Sequence, residues 1–161
     1  MAAADEDGFA AWVRPHLPAM AALAARLVGA DERDDVVQEA LARAWRKRDQ
    51  YDDARGTARA WLLAIVADRG GRFRRGRARR PVQLVADPVA GVVPAVDPVG
   101  VDLERALADL PRRMRMAVDC VYFVGLTVAE TATVMGVSDG TVKSTLSDAR
   151  ARLRSALEER E

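Results

Sequence analysis

The stretch TVAETATVMGVSDGTVKSTLSDAR, residues 127–150, decides the fold. Thr127 followed three residues later by Glu130 is a capping box: the hydroxyl accepts a backbone N–H of the first turn, and the carboxylate reaches back to the N–H of Thr127. A helix therefore starts here, with Val128, Ala132 and Met135 as its inner stripe. Gly136 ends it, because a residue without Cβ enters the left-handed conformation without a clash. Ser138 caps a second helix whose inner stripe is Val142, Leu146, Ala149 and Leu153. Ala132 is small where the two helices must cross. A short helix, a glycine turn and a second helix at this spacing predict a helix-turn-helix.

The outward side of the second helix carries Thr141, Lys143, Ser144, Ser147 and Arg150, behind Asp139 and Gly140. Hydroxyls donate and accept to base edges and phosphates, and short side chains let a helix enter the major groove. The free N–H groups of its first turn favour phosphate. The bland alternative is an ordinary solvated helix hairpin; the ordered turn, the small crossing residue and the polar outer face favour DNA binding.

Around this unit the chain reads as all-α. Ala, Leu, Arg and Glu abound, with little β-branched alternation. Of 161 residues, 50% are hydrophobic but only 5% aromatic, so the core must be aliphatic and modest. The longest apolar runs, such as WLLAIVA (61–67), fall short of the ~20 residues of a membrane span. The opening MAAADEDGF is acidic, unlike a signal peptide. One cysteine, Cys120, cannot form an internal disulfide and fits the cytoplasm; its apolar setting AVDCVYFV predicts burial rather than redox or metal work. His16 is also alone, so no metal or other cofactor is expected. No nucleophile–base pairing or phosphate-cradling glycine loop suggests an enzyme.

Charge is divided unevenly. The segment RGGRFRRGRARR (69–80) holds seven arginines and no acid. Without them the chain has 18 basic residues against 24 acidic ones, a net charge of −6. An acidic body with one basic stripe has the electrostatic footprint of a polyanion binder, although a merely solvated arginine run remains the alternative. The next segment, PVQLVADPVAGVVPAVDPVG (81–100), has prolines at 81, 88, 94 and 98, a density that excludes a helix and predicts an extended linker. The expected organisation is two small helical domains, 7–80 and 102–157, joined by a linker over 81–101.

In the front domain, Phe9, Trp12 and Val13 open a helix that Pro15 and Pro18 break or restart. Leu17, Met20, Leu23, Ala24 and Leu27 continue it to Gly29. A second helix places Val37, Leu41, Ala44 and Trp45 on one face. A third starts after Gly56, with Thr57 as cap, and buries Trp61, Leu62, Ile65 and Val66. Beyond the linker, Leu103, Leu107 and Leu110 form a short helix, and Pro111 starts another through Val118, Val121 and Phe123.

DDVVQEALARAW (34–45), then YDDARGTARAWLLAIV (51–66) and the arginine run, resembles region 2 of bacterial sigma factors. LPRRMRMAVDCVYFVGLTVAETATVMGVSDGTVKSTLSDARARLR (110–154) resembles their region 4. Both in this order, with little room for other regions, resemble an extracytoplasmic-function (ECF) sigma factor of the sigma-70 family. The resemblance implies that Asp35, Gln38, Glu39 and Arg46 dock on the β′ clamp helices of core RNA polymerase, with the β flap as a further contact. Spacing alone would make that face merely solubilising. It implies that the segment from Tyr51 into the arginines opens and reads the −10 promoter element, with Tyr51, Arg55, Trp61, Arg69, Arg72 and Arg75 available to take an unstacked base and track phosphates. The spacing of Trp61 with Ile65 suits the core equally well. Thr141, Lys143, Ser144, Ser147 and Arg150 then read −35 DNA, and an anti-sigma factor is an implied partner. Several features depart from the pattern, among them Ala58 in place of a bulky apolar residue and Met114 in place of a frequent Gln. Asp68 stands where Asn is common, and Gly70-Gly71 costs a helix about 2 kcal/mol relative to alanines. Two rivals follow: a stand-alone helix-turn-helix regulator, and a degenerate sigma factor that binds core without melting promoters.

Overall fold

A computed structural model describes residues 5–78 and 98–158, and these are almost entirely helical. The expected linker over 81–101 lies largely outside the described residues, as do Arg79 and Arg80. Four helices form the front half: α1 (Glu6–Val13), α2 (Leu17–Val28), α3 (Ala30–Lys47) and α4 (Ala58–Ala78). The rear half has α5 (Pro98–Ala108), α6 (Arg112–Val118), a π-helical turn (Asp119–Phe123), α7 (Val128–Met135) and α8 (Asp139–Glu158).

Local chemistry sets most boundaries. Asp5 caps α1 by accepting from the N–H of Gly8, and a 3-10 turn at Arg14–His16 absorbs Pro15 before α2 begins at Leu17. Gly29, at φ 93°, makes the sharp corner into α3. The Thr57 hydroxyl accepts from the N–H of Ala60 at the start of α4. α5 starts at Pro98, a residue that suits a first helical turn because it needs no N–H partner there.

Met20, Leu23, Ala24 and Leu27 of α2 are buried against Leu62, Leu63 and Val66 of α4. Three expected stripes need correction. On α3 the buried residues are Val36, Ala40 and Ala44, while Val37, Leu41 and Trp45 pack only partly. Small residues take the centre of the stripe because α3 must approach both α2 and α4. Phe123, expected inside, is exposed: the wider π-helical turn rotates it outward, where its ring lies 3.9 Å beneath the Arg26 guanidinium. Leu103 is likewise exposed, although Leu107 and Leu110 are buried.

The two halves pack against each other. Cys120, Val124, Leu126 and Val134 belong to the same buried cluster as the front helices, while Ala132, Val142, Leu146 and Ala149 build a second cluster behind them. Helix α7 is therefore covered on two sides, by α4 and by α8, and buries Thr131 and Val134 in addition to Ala132. Its expected partners Val128 and Met135 pack at the edge.

The paired glycines do not interrupt α4. Gly70 sits where α2 crosses: a Cβ there would stand 2.9 Å from Leu27 Cδ1 and 3.1 Å from Leu27 Cβ. A Cβ on Gly71 would meet the tips of two flexible side chains, Arg112 Nη2 at 2.8 Å, which swings aside easily, and Arg75 Nη1 at an ordinary 3.6 Å. Gly70→Ala is therefore expected to lose about 1–3 kcal/mol through overpacking despite its better helix propensity. Gly71→Ala should be neutral or gain up to ~1 kcal/mol. Urea unfolding of both variants checks this, and equal stabilities would show that the α2–α4 crossing has slack.

Candidate nucleic-acid and polymerase interface

The helix-turn-helix is built as its sequence directs. The Thr127 hydroxyl accepts from the N–H of Glu130 at 3.1 Å, and the Glu130 carboxylate accepts the N–H of Thr127 at 3.0 Å. Gly136 is left-handed, with φ 65° and ψ 40°. Ser138 Oγ accepts from the N–H of Thr141 at 3.2 Å and opens α8. Lys143, Ser144, Ser147 and Arg150 are exposed along α8, with Thr141 half-buried near its start. Two of the hydroxyls are engaged locally. Thr141 Oγ1 lies 2.9 Å from Ser138 Oγ, and Ser144 Oγ donates to the Thr141 carbonyl at 3.0 Å. Arg150 Nε donates to the Leu146 carbonyl at 3.2 Å, which aims its guanidinium along the helix surface.

On α3, Asp35, Gln38, Glu39 and Arg46 are all exposed on one side, opposite Val36, Ala40 and Ala44. Spacings of three, one and seven residues keep them on adjoining faces of one helix.

The six residues expected to meet single-stranded DNA fall into two groups. Tyr51, Arg55 and Trp61 line a crevice of about 280 Å³, together with Gln50, Gly56 and Thr57. Its aromatic wall is a cluster: the Tyr51 and Trp61 rings are 5.5 Å apart, and Trp12 stands 5.3 Å from Tyr51 and 6.1 Å from Trp61. Trp61 is thus both a packing residue and a wall. Arg69, Arg72 and Arg75 lie further along α4, roughly 12–21 Å beyond Trp61 at 1.5 Å per residue. Asp68 draws on these cations: its carboxylate is 3.2 Å from Arg72 Nε, 3.6 Å from Arg69 and 3.9 Å from Arg43.

Several residues missed in the sequence join the halves across this site. Thr133 of α7 lines the aromatic crevice. The Thr57 hydroxyl donates to Glu130 Oε1 at 3.0 Å, and Arg59 donates to the carbonyls of Val124 at 2.6 Å and Gly125 at 3.4 Å. Burial would raise the Glu130 carboxyl, but bonds from Thr127 and Thr57 and the charge of Arg59 carry it below its ordinary value. Deeper in the seam, Arg26 Nε donates to Asp119 Oδ1 at 2.7 Å, with Arg115 Nε 3.7 Å from the other carboxylate oxygen. Burial pushes the Asp119 carboxyl upward against the pull of both arginines. The signal for this pair was present: each charge stands alone in an apolar stripe, Arg26 between Leu23 and Leu27, Asp119 inside AVDCVYFV. Cys120 beside it is buried, its thiol pushed up to about 12 by burial and then by Asp119, which fits packing rather than chemistry.

Comparison with known proteins agrees with the geometry. Residues 12–80 match the family model "Sigma-70 region 2", and 100–153 match "Sigma-70, region 4". The ECF RNA polymerase sigma factor SigL of Mycobacterium tuberculosis is 34% identical over 148 residues, covering 84% of this chain and 81% of that protein. SigM from the same species is 37% identical over 131 residues, covering 76% of this chain and 63% of SigM. Among solved structures, CnrH in complex with the cytosolic domain of CnrY superposes with a TM-score of 0.73 at 26% identity, covering 99% of this chain and 94% of that one. The sigma factor RpoE of Bartonella quintana, in complex with the anti-sigma factor NepR, gives 0.72 at 28% identity, covering 93% and 96%. The chain belongs to the ECF sigma factors of the sigma-70 family, and its function is that of an RNA polymerase sigma factor in transcription initiation. No described helix is long and apolar enough to cross a membrane.

The seam makes its own prediction. Asp119→Ala strands the Arg26 guanidinium and should cost about 3–5 kcal/mol, whereas Arg26→Met with Asp119→Leu should restore most of it. Urea unfolding reads both, and a loss below ~1 kcal/mol for the single variant would show the pair to be solvated.

Proposed function

We propose that this sigma factor docks on core RNA polymerase through Asp35, Gln38, Glu39 and Arg46 of α3. In this reading Tyr51, Arg55 and Trp61 hold an unstacked −10 base, Arg69, Arg72 and Arg75 follow the adjoining phosphates, and Thr141, Lys143, Ser144, Ser147 and Arg150 read −35 DNA. The observation that supports the docking assignment is the match of residues 12–80 to Sigma-70 region 2, and the exposed polar side of α3 keeps those groups accessible to a partner. A carboxylate-bearing face meeting a basic partner forms charge-assisted hydrogen bonds and associates quickly. The protein acts in the cytoplasm, as an adaptor without catalytic chemistry of its own. Residues 7–80 and 102–157 form its two working domains, joined by the linker over 81–101.

Promoter engagement requires the halves to separate. Thr133 borders the aromatic crevice, and Thr57 and Arg59 at the head of α4 are occupied by the rear half. A strand entering the crevice would compete with these contacts. Core polymerase would hold the halves apart, so two modules of weak affinity gain from effective concentration only in the holoenzyme. An anti-sigma partner follows from the likeness to RpoE, solved with NepR. The degenerate variant stays the alternative reading: α4 is continuous through Gly70 and Gly71, but continuity does not cancel their propensity cost. The Asp68 pairings remain as a brake on phosphate binding by Arg69 and Arg72.

Asp35→Arg combined with Glu39→Arg should abolish co-purification with core polymerase while circular dichroism stays unchanged; normal co-purification would remove α3 as the docking face. Lys143→Ala and Arg150→Ala should each weaken holoenzyme binding to a −35 element by about 1–3 kcal/mol, read in run-off transcription and binding on a promoter library. Unchanged promoter affinity would take both residues out of the DNA contact.

A further inference from the structure

Behind the seam lies a crevice of about 220 Å³, away from the aromatic wall and from α8. Four guanidinium-bearing residues line it: Arg26 from α2, Arg74 from α4, and Arg112 and Arg115 from α6. Asp119 is the one carboxylate in that lining. Glu104 reaches Arg26 Nη1 only at 3.5 Å and from an exposed position. The lining thus carries an excess of positive charge beyond what Asp119 and Glu104 offset, and such a field attracts anions.

Individual atoms point the same way. Arg26 Nη2 is buried and has no hydrogen-bond partner among the described residues, although Nε is satisfied by Asp119. Among the described residues the hydrogen bond of Arg74 is a long one, to the Leu27 carbonyl at 3.4 Å. Burial and the charges of Arg112 and Arg115 push its guanidinium below the ordinary range, with Asp119 pulling the other way. A desolvated cation repelled by its neighbours is stabilised by any dianion that enters.

We propose that this crevice binds a small phosphoryl anion, of the size of phosphate or pyrophosphate, which bridges α2 and α4 of the front half to α6 of the rear half. Phosphoryl oxygens match guanidinium forks two at a time, and a dianion offsets the excess charge where chloride would offset only part. The volume corresponds to about seven waters at ~30 Å³ each, which suits one or two phosphoryl groups and excludes a duplex. Occupancy strengthens the packed arrangement of the two halves. The inference goes beyond the sigma-factor reading and does not depend on it.

The full chain is titrated with sodium pyrophosphate, against sodium chloride at equal ionic strength, and thermal unfolding is recorded. Pyrophosphate should raise the midpoint and chloride should not, since only a ligand selective for the folded chain stabilises it. Arg74→Gln should weaken pyrophosphate binding by about tenfold or more, Arg74→Lys should retain part of it, and Arg154→Gln should change nothing. Should Arg74→Gln lose helicity, arginine footprinting with phenylglyoxal on the unaltered chain decides: pyrophosphate should protect Arg26, Arg74 and Arg115 and leave Arg154 reactive. Equal stabilisation by chloride, uniform protection of all arginines, or no protection overturns the site. Protection by a short single-stranded oligonucleotide but not by pyrophosphate would assign these arginines to the nucleic-acid backbone, and overturns it as well.

Discussion

The buried carboxylate of Asp119 holds the two halves in register. It is almost wholly removed from solvent and meets Arg26 at 2.7 Å across the seam. Desolvating both ions consumes most of their attraction, so the pair adds little net stability; it acts chiefly by making misaligned packing expensive. A rear half shifted by one helical turn would bury both charges without partners. The apolar contacts of Cys120, Val124, Leu126 and Val134 supply adhesion, which is non-directional, and the ion pair supplies direction.

The rest of the seam is of a different kind. Thr57 to Glu130, and Arg59 to two carbonyls, are polar contacts at or near the surface, which water or a nucleic acid can replace at small net cost. A buried apolar and ionic floor beneath an exchangeable polar rim suits a joint that must hold in the free protein and yield to a larger partner. Thr57, which closes the joint at the head of α4, also lines the crevice proposed to take the −10 base. In the proposed reading, closure and entry of a DNA base compete at Thr57.

Sequence reading reached far into this fold because its signals were local. The capping box, the Gly136 turn and the Ser138 cap each need only three or four residues to act, and all three form as spacing dictated. The helices of the front half were legible from apolar recurrence. What escaped was anything set by contact between distant segments. The centre of the α3 stripe moved to Val36, Ala40 and Ala44 because two neighbours crowd that face, a fact no single helix records. Gly70 looked like a helix defect until Leu27, 43 positions earlier in the chain, was found against it. Thr133 borders the crevice, and Arg59 finds its carbonyl partners, only because the halves meet. The assignments that came through family resemblance, the α3 face above all, could not have come from spacing, since an exposed polar helix face is the default for any soluble helix.

The arginine run illustrates how composition misleads about function when geometry is absent. Seven arginines in twelve residues suggest a uniform cationic stripe. Among the described residues they take separate places: Arg69 and Arg72 lean on Asp68, Arg75 lines a third crevice, of about 580 Å³, between α4 and the rear half beside Arg112 and Arg113, and Arg74 turns into the seam toward Asp119. Helical rotation of about 100° per residue distributes neighbours in sequence to opposite sides of α4. Arg74 and Arg75 are adjacent in the chain yet line different crevices, both of them bordered by α6 of the rear half. The described arginines of the segment thus divide between the Asp68 carboxylate and two crevices shared with the rear half, and a change of charge among them will be felt on whichever side the helix turns that residue.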